Sequence, residues 1–108
     1  MTETRVVLVT GPDMETLVSL ARTLLAERLI ACANVVGGVR SIFRWQGEVA
    51  EEDEALAILK TTEPRLAALR ARVLELHPYD VPEFLALPVS VGAEAYLDWV
   101  AASVDPDA

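Results

Sequence analysis

Residues 30–47 read IACANVVGGVRSIFRWQG, a run of strand-forming residues interrupted once by Gly37-Gly38 and closed by Gln46-Gly47. β-branched and aromatic side chains predict a long strand, and the paired glycines predict a bulge or kink within it. In its second half Val39, Ser41, Phe43 and Trp45 point one way, and Arg40, Ile42 and Arg44 point the other. A strand with aromatics on one side and arginines on the other suits a segment that reaches beyond its own sheet to meet a partner. The next residues, Glu48 to Glu54, read as an acidic connection forming a charged, solvated hairpin tip, and Ala55 to Thr61 reads as the returning strand.

Upstream, Arg5 to Thr10 holds the run Val6-Val7-Leu8-Val9, which fits a strand buried on both faces. Gly11-Pro12-Asp13 breaks it, and with Asp13 as N-cap the apolar positions Leu17, Leu20, Ala21, Leu24 and Leu25 follow one helical face. Downstream, Thr62 is the expected N-cap of a second amphipathic helix carrying Leu66, Leu69, Val73 and Leu76, ended by Pro78. Phe84 to Val89 is strand-like, but Pro82 and Pro88 lack the N–H a central strand requires, which puts it at an edge. A last helix, Ala93 to about Val104, is expected to bury Tyr96, Leu97, Val100 and Trp99. The order gives an α+β fold, a ferredoxin-like βαββαβ antiparallel sheet with both main helices on one face plus a C-terminal helix.

At 108 residues, without repeats or a Gly/Ser linker, the chain is expected to be a single domain over 1–108. Hydrophobic residues make up 53% of it, a rich composition for a soluble domain. The surplus is expected in a subunit interface covering the open sheet face. Nine Lys+Arg against 17 Asp+Glu give a net charge of −8, which opposes nucleic acid and anionic membranes as partners and favours cations. No apolar run is long enough to span a bilayer, and Met1-Thr2-Glu3 does not begin a secretory signal, so a cytoplasmic location is expected. One Asn and one Gln suggest a thermostable protein.

The chemistry-bearing residues are few. Cys32, the only cysteine, cannot form an internal disulfide, and Ala31-Cys32-Ala33 suits a thiol acting as a small hydrophobe. No nucleophile elbow, HExxH helix or phosphate-binding loop occurs, so an enzyme is not expected. The densest polar cluster is His77-Pro78-Tyr79-Asp80-Val81-Pro82-Glu83. His77 has two readings: completion of the helix C-terminus as a cation, or a metal ligand together with Asp80 or Glu83. Imidazole nitrogen with carboxylate oxygen favours a borderline divalent ion, copper above others. A single histidine makes a weak site, which threefold assembly would multiply. Lys60 and Arg44 are charges within strand patterns, expected to pair with carboxylates of this or another subunit.

Six landmarks together resemble the CutA family, linked to divalent-cation tolerance. They are Thr10-Gly11-Pro12; Leu29-Ile30-Ala31-Cys32-Ala33-Asn34; Ser41-Ile42-Phe43-Arg44-Trp45-Gln46-Gly47; Leu59-Lys60-Thr61; His77 to Glu83; and Tyr96-Leu97-Asp98-Trp99. The resemblance implies a ferredoxin-like homotrimer joined through long strands, with copper or another divalent cation as ligand and no organic cofactor. It implies copper ligation through Cys and His. The HPY histidine is His77, whereas positions holding Cys and a second His in some members are Val9 and Leu76 here. The architecture also resembles the trimeric PII signalling proteins. That similarity implies a signalling or scaffold module taking a small anionic metabolite or partner protein at intersubunit clefts, with Cys32, Arg44, Trp45, Lys60 and Tyr79 as candidate cleft residues.

Overall fold

The computed structural model describes residues 2–107. In chain order the elements are β1 (Thr4–Gly11), α1 (Met14–Ala26), β2 (Cys32–Trp45) and β3 (Glu48–Thr62), then a 3-10 turn (Glu63–Arg65), α2 (Leu66–Leu76), β4 (Leu85–Pro88) and α3 (Glu94–Ser103). One four-stranded antiparallel sheet has the order β2-β3-β1-β4, the ferredoxin-like arrangement the element order implied. β3 and β1 are the inner strands, and Val7 and Val9 of β1 are fully buried, while Val6 and Leu8 on its other face are only half-buried, so β1 is not buried on both faces as expected. β4 is the edge strand that its prolines allow.

Alternation along the strands separates the two sheet faces. Val7, Val9, Ala55, Ala57 and Leu59 turn toward α1 and α2 and form one core with Leu17, Leu20, Leu24, Leu69 and Val73. Each large side chain buried there contributes about 1.5–3 kcal/mol by leaving water. Asp13 starts α1 as expected, its carboxylate accepting from the Thr16 N–H at 2.8 Å. That hydrogen bond holds the Asp13 carboxyl below its ordinary pKa. α3 forms a separate small cluster, Val100 and Val104 against Ala31, and sets the Tyr96 hydroxyl 3.4 Å from Cys32 Sγ. Cys32 alternates with the inward-facing Ala33, so Tyr96 contacts the face turned away from α1 and α2.

Several expectations change. The acidic stretch Glu48 to Glu54 is no connecting tip but the outer half of the 15-residue strand β3. Only Gln46-Gly47 turns the chain, both residues at positive φ (50° and 82°), the two-residue geometry that matches strand twist. Thr62 makes no side-chain cap, since the 3-10 turn intervenes before α2. Leu76 is exposed instead of buried, and in α3 only Val100 is fully buried while Tyr96 and Trp99 remain more than 40% exposed. A three-turn helix touching the sheet along a narrow line has room to bury only that line.

Gly37 and Gly38 form the expected bulge. Val36 pairs with Leu56 and Val39 with Glu54, so the two glycines stand opposite Ala55 alone. Gly38 has φ +72°, open to glycine at no steric cost. Beyond the bulge β2 and β3 pair only with each other, as a twisted ribbon leaving the body of the sheet. The chain is accordingly elongated, 44 × 26 × 22 Å. It exposes 6544 Å², against about 5,900 Å² for a compact monomer of this size.

Candidate functional site: a cleft between ribbon and loop

The loop after α2 lies beside this ribbon, and His77 anchors it. Its ring is buried, and Nε2–H donates to the Thr10 carbonyl at 2.7 Å. Nδ1 accepts from the Tyr79 N–H at 3.1 Å. A carbonyl can only accept and an N–H can only donate, so these two bonds require the neutral ring protonated at Nε2. His77 is the C-cap of α2 in extended geometry: its backbone N–H closes the helix on the Val73 carbonyl at 2.9 Å, while its ring ties the loop to β1. Neither ring nitrogen is free for a metal. The cationic-cap reading and the ligand reading of His77 both give way to this hydrogen bonding.

The His77 ring meets Tyr79 edge-on, centroids 4.7 Å apart. The Tyr79 hydroxyl donates to Glu54 Oε2 at 2.7 Å, joining loop to ribbon. Burial, the Glu54 hydrogen bond and the nearby charges of Glu54, Glu52 and Asp13 push the Tyr79 phenol well above its ordinary range. Between loop and ribbon lies a cleft of about 540 Å³. Ser41, Phe43 and Trp45 line the β2 side, Glu52 and Glu54 the β3 side, and Asp80, Val81 and Glu83 the loop side. Burial, then the charge of Glu54, raises the Glu83 carboxyl pKa.

The structure thus brings together Trp45, Tyr79, Asp80 and Glu83 from the expected residues, and keeps the others apart. His77 braces the loop from behind. Cys32 and Lys60 are cross-strand partners in the inner half of β2 and β3, where the Lys60 ammonium donates to Asn34 Oδ1 and pairs with no carboxylate among the described residues. Arg44 is opposite Val49 near the ribbon tip, outside the four ion pairs among the described residues. Within one chain Arg44, Lys60 and Tyr79 therefore do not meet, and Tyr79 faces carboxylates. Glu52 and Glu54 are hidden in the sequence because Glu48 to Glu54 reads as a solvated tip. Counting back from a two-residue turn at Gln46-Gly47 would have placed Glu52 across from Ser41 and Glu54 across from Val39.

The profile of the CutA1 divalent ion tolerance protein family matches residues 5–103. The chain belongs to that family. It is 50% identical over 95 residues to the divalent-cation tolerance protein CutA of Thermus thermophilus, covering 88% of this chain and 92% of that one. The solved Thermus thermophilus structure superposes with a TM-score of 0.90 over 93% of this chain and 97% of that chain, at 48% identity. Identity to the chloroplastic CutA of Arabidopsis thaliana is 42% over 95 residues, 88% of this chain but only 52% of the longer plant protein. A structure named as the periplasmic divalent cation tolerance protein CutA of Archaeoglobus fulgidus matches at 30% identity and TM-score 0.91, covering 94% of this chain and 99% of that one. The CutA family name denotes cation tolerance, not a reaction. Among the described residues, however, no group of three His, Cys, Asp or Glu side chains converges to hold a metal ion. With His77 also engaged, the single chain does not fit a divalent metal.

Proposed function

We propose that the chain contributes to divalent-cation tolerance as a cytoplasmic homotrimer, with any metal held by donors from more than one subunit. The supporting observation is the large apolar surface that one chain leaves in water. Val36, Ile42, Trp45 and Val49 on the long strands and Leu85 and Leu87 on the edge strand are all at least 45% exposed. A soluble chain of this size with this much apolar edge and ribbon has the character of a subunit. Copper is the proposed ion, because it stands highest in the affinity order for nitrogen, oxygen or sulfur donors. Asp80 and Glu83, with Glu52 and Glu54 across the cleft, are the donors one chain offers there, His77 being engaged.

Sedimentation at neutral pH tests the assembly, and three chains per particle is the expected mass; a stable single chain overturns it. Copper calorimetry on the wild type and on Asp80→Asn/Glu83→Gln tests the ion. Binding that weakens in the double variant supports the carboxylate donors, while identical isotherms remove them. A second reading, a PII-like scaffold that takes an organic ligand, is favoured by the coexistence of a formed cleft with the lack of a three-donor group among the described residues. Ligand-induced thermal shifts that persist in metal-stripped buffer would favour it.

A further inference from the structure

We propose that His77 is an acid-sensitive latch: its neutral ring holds the Pro78–Glu83 loop in place, and a second proton on the ring releases that loop from an otherwise intact fold. This goes beyond divalent-cation tolerance and depends on neither a metal nor an assembly. Among the described residues the loop makes two hydrogen bonds, and both are at Tyr79. The Tyr79 N–H donates to His77 Nδ1 at 3.1 Å, and the hydroxyl donates to Glu54 Oε2 at 2.7 Å. No residue from Pro78 to Glu83 is buried, and the segment contains neither helix nor strand. Such a stretch opens locally once its hydrogen bonds are lost, whereas the main core is built without His77.

One ring nitrogen carries the sensitivity. Nε2–H donates to the Thr10 carbonyl in either charge state, so that bond survives a second proton. Nδ1 accepts only through its lone pair, and once protonated it turns a donor toward the Tyr79 N–H. The ring is 7% exposed, so water does not easily replace the lost partner. Thr10 holds the ring, and the Val73 carbonyl holds the His77 backbone N–H, which leaves the Tyr79 side as the part free to move. The charged groups around the ring are acids. Asp13 and Glu15 of α1 line a groove beside His77, Glu75 of α2 is paired with Arg72, and Glu52 and Glu54 of β3 act on Tyr79. The loop adds Asp80 and Glu83, β1 presents the uncharged Thr10, and no lysine or arginine lines the space on either side. An imidazolium there meets carboxylates and no second cation, so the obstacle specific to the second proton is the Tyr79 N–H.

The test is nuclear magnetic resonance on the ¹⁵N-labelled full chain from about pH 8 to about pH 5, the span in which imidazole ordinarily changes charge. The His77 ring nitrogens and the Tyr79 amide are followed together, with the Val7 and Leu59 amides as reporters of the core. At the upper end the ring should show the neutral Nε2–H form. On acidification the ring should gain its proton and the Tyr79 amide should lose its hydrogen-bonded shift over the same pH interval, with the core amides unmoved. His77→Gln keeps an N–H donor for Thr10 and cannot take the proton, so its Tyr79 amide should not follow pH. Glu54→Gln and Glu83→Gln should retain the transition, since neither carboxylate is the group that titrates. A ring that gains its proton without a change at Tyr79, a ring that stays neutral throughout, a Tyr79 transition that persists in His77→Gln, or core amides that move with the loop each overturns the proposal. The wild-type ring and amide signals decide the matter even where a variant does not fold. No metal is added and the signals come from one chain, so failure of the copper or trimer reading leaves this result untouched.

Discussion

β2 and β3 run through two different environments, and Gly37-Gly38 marks the boundary. On the inner side Ala55, Ala57 and Leu59 are each 1% exposed beneath α1 and α2. On the outer side the same two strands keep their pairing, yet Ile42 and Val49 are each 64% exposed and Trp45 is 50% exposed. The halves differ in pairing as well as in cover: inward of the glycines β3 also pairs with β1 and lies beneath two helices, whereas outward β2 and β3 pair only with each other. The inner half is stabilised by its own chain, whereas the outer half leaves much of its apolar and aromatic surface in water. Burial here is a property of what lies against the strand.

The largest effect should come from the inner side. Leu24→Ala removes a fully buried α1 side chain from the shared core and is expected to cost about 2–5 kcal/mol in chemical denaturation. On the outer side, Ile42→Lys places a cation opposite Glu51, and should leave the fold of one chain intact within about 0.5 kcal/mol. Its expected effect is on sedimentation, where the particle falls to the mass of a single chain. An unchanged mass together with a large loss of stability would break the contrast between the two halves.

The boundary has its own test. Gly38→Ala puts a Cβ on a backbone held at φ +72°, in open space, so the cost is conformational and should be about 1 kcal/mol in the same denaturation measurement. A null result would mean that the bulge relaxes without strain. The smallest effect is at Glu83. A raised folded pKa means that the native state binds the proton more tightly than the unfolded chain, so Glu83 favours folding at low pH and that contribution is lost as pH rises. Glu83→Gln should thus raise the melting temperature slightly near pH 7, with the gain vanishing below about pH 4.5, the carboxyl's ordinary value. Thermal melts across that range check the sign.

Much of the architecture was legible in the residues. Val6 to Val9 marks a strand, although only its Val7 and Val9 face is fully buried, Asp13 with Leu17, Leu20 and Leu24 marks a capped helix, and Gly37-Gly38 marks the bulge. The cleft was only half legible. HPYDVPE drew attention to Tyr79, Asp80 and Glu83, and alternation put Phe43 beside Trp45 on one side of a strand. Nothing local showed that the loop and the ribbon meet, because Tyr79 and Glu54 are 25 residues apart and join through one hydrogen bond. The role of His77 is hidden for a related reason. A histidine beside acids fits a ligand set until a distant carbonyl, that of Thr10, is found holding its Nε2–H.

The sequence by itself determined where the chain extends, coils and turns, since φ/ψ preference, capping and alternation act between near neighbours. It also determined the excess of acid and of apolar side chains. The tertiary structure alone decided which of them meet, which ring nitrogen carries a proton, and which apolar residues remain in water. Those outcomes depend on contacts between segments far apart in the chain, whose distances only the folded packing sets.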